Sequence, residues 1–219
     1  MYLPKHFRAD DDEARELLAG IRAADLVTNT DQGLFATFLP LLYDATAGEN
    51  GALLGHVARK NDHWRLGTIG EALVIVHGPD AYITPGWYPS KLEHGRVVPT
   101  WNYVTAHIHG ELVIHDDPVW LEDMVRRLTT RHEAEREHPW SVDDAPRDYV
   151  DGQLRAIVGL ELRITRIEAK LKLGQNRSAE DIDGVISGLQ ERGDEATAEA
   201  TVRARRNWPL THAAASPCG

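Results

Sequence analysis

Apolar positions along the chain follow two periods, and the change from one to the other marks out its elements. Leu17, Leu18 and Ile21 give a helical stripe over Asp10–Ala23, with Asp10 and Glu13 spaced as an N-terminal capping pair. Alternation then takes over. Ala24–Asn29, the turn D-Q-G and Leu34–Tyr43 predict a β-hairpin whose second strand is pushed to an edge or bulge by Pro40. Gly48–Gly51 turns into a third strand, Ala52–Val57; A-R-K-N-D-H-W-R reads as a short helical segment, and L-V-I-V within Ala72–His77 predicts a strand buried on both faces.

Farther on, Thr100–His109 and Glu111–His115 read as a hairpin turning at Gly110. Leu121, Met124, Val125 and Leu128 fall at i, i+3, i+4 and i+7 behind Pro118, which suits a helix's first turn. Pro139 and Pro146 bracket a loop, and a weaker helix spans Arg147–Val158 up to Gly159. In Leu160–Leu173 the alternation slips by one at Thr165 and Arg166, as a β-bulge would make it. Ser178 opens a helix faced by Ile182, Val185, Ile186 and Leu189, and an amphipathic segment follows from Asp194 to Arg206. Seven or so strands with helices inserted and appended predict an α+β protein built on an antiparallel β-barrel.

Composition narrows the class. The chain has 219 residues, with 42% hydrophobic and 26% charged, and no window approaches the ~18 apolar residues of a membrane span. M-Y-L-P-K-H-F lacks a signal peptide's apolar core, so the cytoplasm is the expected location. Cys218, the single cysteine, excludes an internal disulfide and a cysteine metal site. A net charge of −10 opposes attraction to phosphate backbones, and Arg203, Arg205 and Arg206, set among Glu195 and Glu199, read as a solvated helix face, so direct DNA binding is not expected.

The candidate chemistry lies in four places. His56, Arg59, Lys60 and Asn61 leave a strand end together, which suits a phosphate dianion, although a solvated turn would look the same. Two aromatic clusters, A-Y-I-T-P-G-W-Y from Ala81 and V-V-P-T-W-N-Y from Val97, combine rings with hydrogen-bonding tips, as a flat, partly polar ligand requires; a plug at a barrel end is the plain alternative. K-L-G-Q-N-R-S places Gln175, Asn176 and Arg177 after the long strand, either to cap the next helix or to hydrogen-bond a heteroaromatic edge. His107 and His109 share a strand face without an evident third ligand, and no metal is expected. G-x-S-x-G, Gly-rich dinucleotide and Walker patterns do not occur.

M-Y-L-P-K-H-F, G-H-V-A-R-K-N-D-H-W, G-P-D-A-Y-I-T-P-G-W-Y, V-P-T-W-N-Y and K-L-G-Q-N-R-S, in this order, resemble the PaiB-type family of FMN-binding negative transcriptional regulators, over nearly the whole chain to about Arg206. The resemblance implies a split β-barrel of the pyridoxamine-phosphate-oxidase type, a homodimer with FMN at the subunit interface. It implies a split-barrel domain over 1–175 and a helical extension over 176–208; the composition of A-A-A-S-P-C-G at the end predicts a disordered tail over 209–219. It assigns His56, Arg59, Lys60 and Asn61 to the flavin phosphate, with Trp64 beside them. Thr100, Trp101, Asn102 and Tyr103 would line the flavin, Thr84, Trp87 and Tyr88 would close the site, and Gln175 and Arg177 would reach in from the late strand. Gly174 stands where the family has Ser, which removes one hydroxyl; Thr84 keeps the hydroxyl of a family Ser; and Asn61–Asp62–His63–Trp64 replaces N-P-x-W. The implied activity is a flavin-binding transcriptional regulator. An FMN-dependent oxidoreductase, flavin/nicotinamide reductase-like or haem-related, is the alternative, and a binding module without flavin a third.

Overall fold

A computed structural model describes residues 1–207. Its helices are α1 (Asp11–Ala19), α2 (His63–Leu66), α3 (Ser90–His94), α4 (Pro118–Glu133), α5 (Arg147–Arg155), α6 (Ala179–Glu191) and α7 (Glu195–Asn207). The strands are β1 (Ala23–Thr30), β2 (Gly33–Asp44), β3 (Ala52–Ala58), β4 (Ala72–Ile83), β5 (Thr100–His115) and β6 (Ile157–Lys172). They are hydrogen-bonded in the order β1-β2-β3-β6-β5-β4, and β4 returns to β1 to close the barrel. The expected antiparallel barrel with helices is therefore present. The tail and Cys218 lie outside the described residues.

Local signals set the element starts. Asp10 accepts from Glu13 N at 2.8 Å while Glu13 accepts from Asp10 N at 3.0 Å, a reciprocal cap that opens α1. Asp117 and Ser178 cap α4 and α6 in the simpler way. The β1–β2 hairpin runs in register from Thr30↔Gly33 to Ala23↔Pro40, and β2 pairs with β3 only from Leu41 onward. Pro40, which has no N–H to give, sits where β2 changes partners.

Four expectations are corrected. Residues 100–115 form one 16-residue strand and not a hairpin, which leaves six strands in place of seven. Gly110 is extended there, and a Cβ on it would lie 2.2 Å from Arg163 O; the glycine admits the backbone of β6. Second, β4 continues through Gly78 and Pro79 to Ile83, and its burial alternates, with Leu73 and Ile75 only half-buried. Third, α5 stops at Arg155 and β6 begins at Ile157. Fourth, α1 ends at Ala19, four residues short of the expected Ala23, because Gly20 closes it. The phase change in β6 is present: Val158, Leu160, Leu162 and Ile164 are buried, Thr165 and Arg166 are exposed, and Ala169 and Lys170 are both buried.

The chain divides into two compact units. The larger comprises Asp10–Val76 and Ala106–Glu168; the smaller draws on Met1–Ala9, His77–Thr105 and the chain from Ala169 onward. In the larger unit α4 and α5 bring Leu121, Met124, Val150 and Leu154 against Leu42, Ala52 and Leu54 of the sheet. In the smaller unit α6 and α7 bring Val185, Leu189 and Ala198 against Ala81, Ile83 and Tyr88. There Gly184 and Gly188 of α6 make room for Trp87, since a Cβ on Gly188 would stand 2.3 Å from the indole.

Candidate functional site

The residues singled out in the sequence fall in both units. In the larger unit, H-V-A-R-K-N-D-H-W is mostly tied to its own surroundings. Arg59 Nε donates to Arg155 O at 2.7 Å, Nη1 to Asp116 Oδ2 at 3.0 Å, and Nη2 to Ile157 O at 3.0 Å and to Asp116 Oδ1. This holds the Asp116 carboxyl below the usual carboxylate range, chiefly through the hydrogen bond from Arg59. Four of the five guanidinium N–H groups are engaged, so a phosphate would compete with a carboxylate already in place. Asn61 Oδ1 accepts from His63 N at 2.9 Å and starts α2, and Trp64 Nε1 donates to Arg59 O at 3.0 Å. His63, 1% exposed, sits between Thr28 Oγ1 at 2.9 Å and Thr37 Oγ1 at 2.8 Å, and burial pushes its pKa down. His56 faces Gly159 across the β3–β6 ladder; its Nδ1 is buried without a partner, and burial pushes its pKa down. Lys60 is exposed.

A cleft of about 460 Å³ opens beside this segment, lined by Arg59, Asp116, Pro118, Leu121, Asp151, Leu154 and Arg155. Near it His115 stacks on Trp120 at 4.0 Å between centroids and bonds Glu161 at 2.6 Å. Because β5 does not turn, His107, His109 and His115 share one side of the strand by parity. Among the described residues no group of three or more His, Cys, Asp or Glu is placed to hold a metal ion, and no helix is long and apolar enough to cross a membrane.

The smaller unit gathers the rings. Thr84 Oγ1 accepts from Gly86 N at 3.2 Å and fixes the single turn Pro85–Trp87. Trp87 lies on α6 with the Arg192 guanidinium 5.3 Å from its centroid. Tyr88 is buried, with Arg177 4.7 Å over its ring; burial raises the phenol's pKa, Arg177 opposes that, and Asp181 adds to it. On β5, Trp101 is 52% exposed, and its indole N–H is held by Asp80 Oδ1 at 2.7 Å with Tyr82 edge-on at 6.2 Å. Tyr103 shares that face; Asn102 points to the other and is 2% exposed. Gln175 takes the plain role: its side chain accepts from Leu173 N at 2.9 Å and donates to Leu171 O at 2.6 Å, bracing its own loop.

Three residues of this unit escape sequence reasoning. Asp80 carries no signal of its own in the sequence, yet it orients Trp101. Lys170 and Lys172 are the other two. Lys172 Nζ donates to Thr100 Oγ1 at 2.6 Å and to Trp101 O, and both ammoniums approach the Tyr103 ring, at 5.3 Å for Lys170 and 5.8 Å for Lys172. A K-x-K step inside a long strand of an acidic chain is the one signal that could have found them.

The sequence matches the family described as "Putative FMN-binding domain" over residues 1–166. The Protease synthase and sporulation protein PAI 2 of Bacillus subtilis is 31% identical over 192 residues, 87% of this chain and 89% of that protein. An uncharacterized protein of Emericella nidulans is 33% identical over 174 residues, 67% of this chain and 69% of that protein. In fold, the chain resembles the flavocytochrome Anf3 of Azotobacter vinelandii, with a TM-score of 0.53 at 13% identity over 80% of this chain and 73% of that one. The FAD and heme binding protein of Mycobacterium smegmatis gives a TM-score of 0.50 at 20% identity, over 80% of this chain and 77% of that one.

Proposed function

The chain belongs to the FMN-binding domain family matched over residues 1–166, and from that membership we propose that it works as a homodimeric flavoprotein that lowers transcription without reading DNA itself. FMN is the cofactor; when bound it supplies reversible acceptance of a hydride or of electrons, and the chain supplies binding, orientation and shielding from water. The observation that carries the reading is the pinned, half-exposed Trp101. An indole that buries its N–H on Asp80 while keeping its face open offers a flat ligand ready-made contact area at little entropic cost.

Trp101 and Tyr103 serve the flavin ring, Thr84, Trp87 and Tyr88 close the site, and Arg177 supplies a cation beside it. Asn102, buried on the far face, supports the strand and does not touch the cofactor in this reading. Homodimerisation is supported by exposed apolar side chains within the smaller unit: Leu92 at 92%, Val98 at 65%, Trp101 at 52% and Tyr82 at 44%. Indirect action on transcription is supported by the charge of −10, and by Arg205 being paired with Asp183.

Heating the purified protein should release a yellow chromophore with the spectrum of FMN; a colourless supernatant, with no flavin taken up on reconstitution, would remove the reading. Trp101→Ala should weaken FMN binding by about tenfold, the worth of one aromatic stacking contact, when followed by flavin fluorescence. An unchanged affinity would take Trp101 out of the site. A mobility assay over a salt series should show DNA binding no tighter than that of an arbitrary acidic protein. Rapid bleaching of the bound flavin by a reduced nicotinamide would replace regulation with oxidoreductase chemistry.

A further inference from the structure

Three cations of the smaller unit follow one another along the end of β6 and the loop after it, each without an ion-paired partner among the described residues. Lys170 is only 8% exposed; its ammonium donates to Tyr2 O at 3.1 Å and lies 5.7 Å and 5.3 Å from the centroids of Tyr2 and Tyr103. Lys172, two residues on, is half-buried and finds only neutral acceptors, Thr100 Oγ1 and Trp101 O. Arg177 faces the ring of Tyr88. Among the described residues none of the three is ion-paired with a carboxylate. Of the nearby acids, Asp80 accepts from Trp101, and Asp181 accepts from Ser90 N at 3.1 Å and Ser90 Oγ at 2.7 Å; Glu93 and Glu180 line a cleft with Arg177 without an ion pair to it.

This is an expensive arrangement. An ammonium withdrawn from water needs a counter-charge or a full set of acceptors, and Lys170 has one hydrogen bond for its three donors. The cost is visible at Lys172, whose protonated form is disfavoured by burial first and then by Lys170 and Arg177. By contrast, Arg59 is neutralised by Asp116 and Arg126 by Glu122 and Asp143. Three positive charges exceed what one carboxylate would balance. A phosphate dianion, with three acceptor oxygens, fits both the charge and the free donors.

We propose that Lys170, Lys172 and Arg177 form an anion subsite that takes the phosphate group of a phosphate ester, apart from the Arg59–Lys60 segment where the sequence first suggested one. Two ligands share this chemistry: the 5′-phosphate of FMN, and the phosphate of a second ligand. The subsite stands on its own geometry and does not require the flavin reading to hold.

The test titrates the full chain with FMN, riboflavin and inorganic pyrophosphate at constant ionic strength, comparing the unaltered protein with Lys172→Gln, Arg177→Gln and Lys170→Met. If the subsite holds the flavin phosphate, Lys172→Gln and Lys170→Met lose about tenfold in FMN affinity, as for one lost charge-assisted contact, and keep their riboflavin affinity, while Arg177→Gln, beside the ring as well, loses more FMN than riboflavin. If it holds a second ligand, the FMN-to-riboflavin ratio stays as before and the thermal stabilisation given by pyrophosphate disappears. An FMN-to-riboflavin ratio and a pyrophosphate response that are both the same in every variant would overturn the proposal. A protein that binds neither flavin yet keeps a lysine-dependent pyrophosphate response would sink the flavin reading and leave the subsite standing. Lys170→Met removes a buried residue, and should it fail to fold, Lys172→Gln and Arg177→Gln decide the matter. Lys172→Arg should restore the response that Lys172→Gln loses.

Discussion

Gly110→Ala should destabilise the protein by about 3 kcal/mol, at the upper end of the range for overpacking. The added methyl would meet Arg163 O at 2.2 Å, Arg163 C at 2.9 Å and Leu162 Cγ at 3.1 Å. Two of these are backbone atoms of β6, so no rotamer change relieves the contact and the strands must separate. Gly152→Ala is the matched control: nothing lies within 4 Å of its Cβ position, and it sits inside α5. That change should stabilise by about 0.5–1 kcal/mol through the unfolded state. Urea unfolding of both variants provides the comparison. A Gly110→Ala protein as stable as the control would mean that β5 and β6 are less closely apposed than described.

Acidification should weaken the fold through its buried histidines. Burial depresses the pKa of His63 and of His56 from 6.5. The unfolded chain therefore binds protons that the folded chain refuses, and stability falls as pH drops through 6.5. The slope is at most about 1.4 kcal/mol per pH unit for each group. Paired carboxylates do not confuse this window: Glu122, held by Arg147 and Arg126, is pulled down to about 2 and titrates far below it. Unfolding midpoints measured from pH 7.5 to 5.5 should fall, and the fall should be shallower in His63→Asn. A flat profile would show that His63 takes up its proton without leaving its place between Thr28 and Thr37.

Where a signal was local, the chain could be read from its residues alone. The capping pair Asp10 and Glu13, the D-Q-G turn, Pro118 at the head of α4 and the cap at Ser178 each act within a few residues, and each appears as expected. The slip at Thr165 and Arg166 was legible because strand periodicity leaves no other explanation for two misplaced polar residues. Gly110 was not, since a glycine needed for a turn and a glycine needed for a close approach are the same letter, and only Arg163, far off in sequence, distinguishes them. The second half of β4 is hidden for a similar reason: Gly78 and Pro79 are residues that end strands as often as they lie within one, and here the strand runs on through them to Ile83.

The candidate site divides along the same line. Trp87, Tyr88, Trp101 and Tyr103 announce themselves by size, and their neighbourhood is rich in partners. What a single sequence does not convey is who holds whom. Arg59 looks free until Asp116 is placed beside it, and Lys170 looks solvated until Tyr2 and Tyr103 cover it. Charge on a residue is visible in the sequence; whether that charge is already spent depends on contacts tens of residues away.

The division of the chain also bears on the order in which a ribosome would deliver it. Every part of the larger unit is free to pack once Glu168 has left the ribosome, so its core can close while translation continues. The smaller unit must wait, because Tyr88 and Ile83 have no Val185 or Leu189 to pack against until α6 has emerged. A nascent chain that has emerged from the ribosome only as far as Glu168 would expose the pair of Arg59 and Asp116 but neither Lys170 nor Lys172, and in such an arrested complex protease resistance should come first and ligand capture only after release.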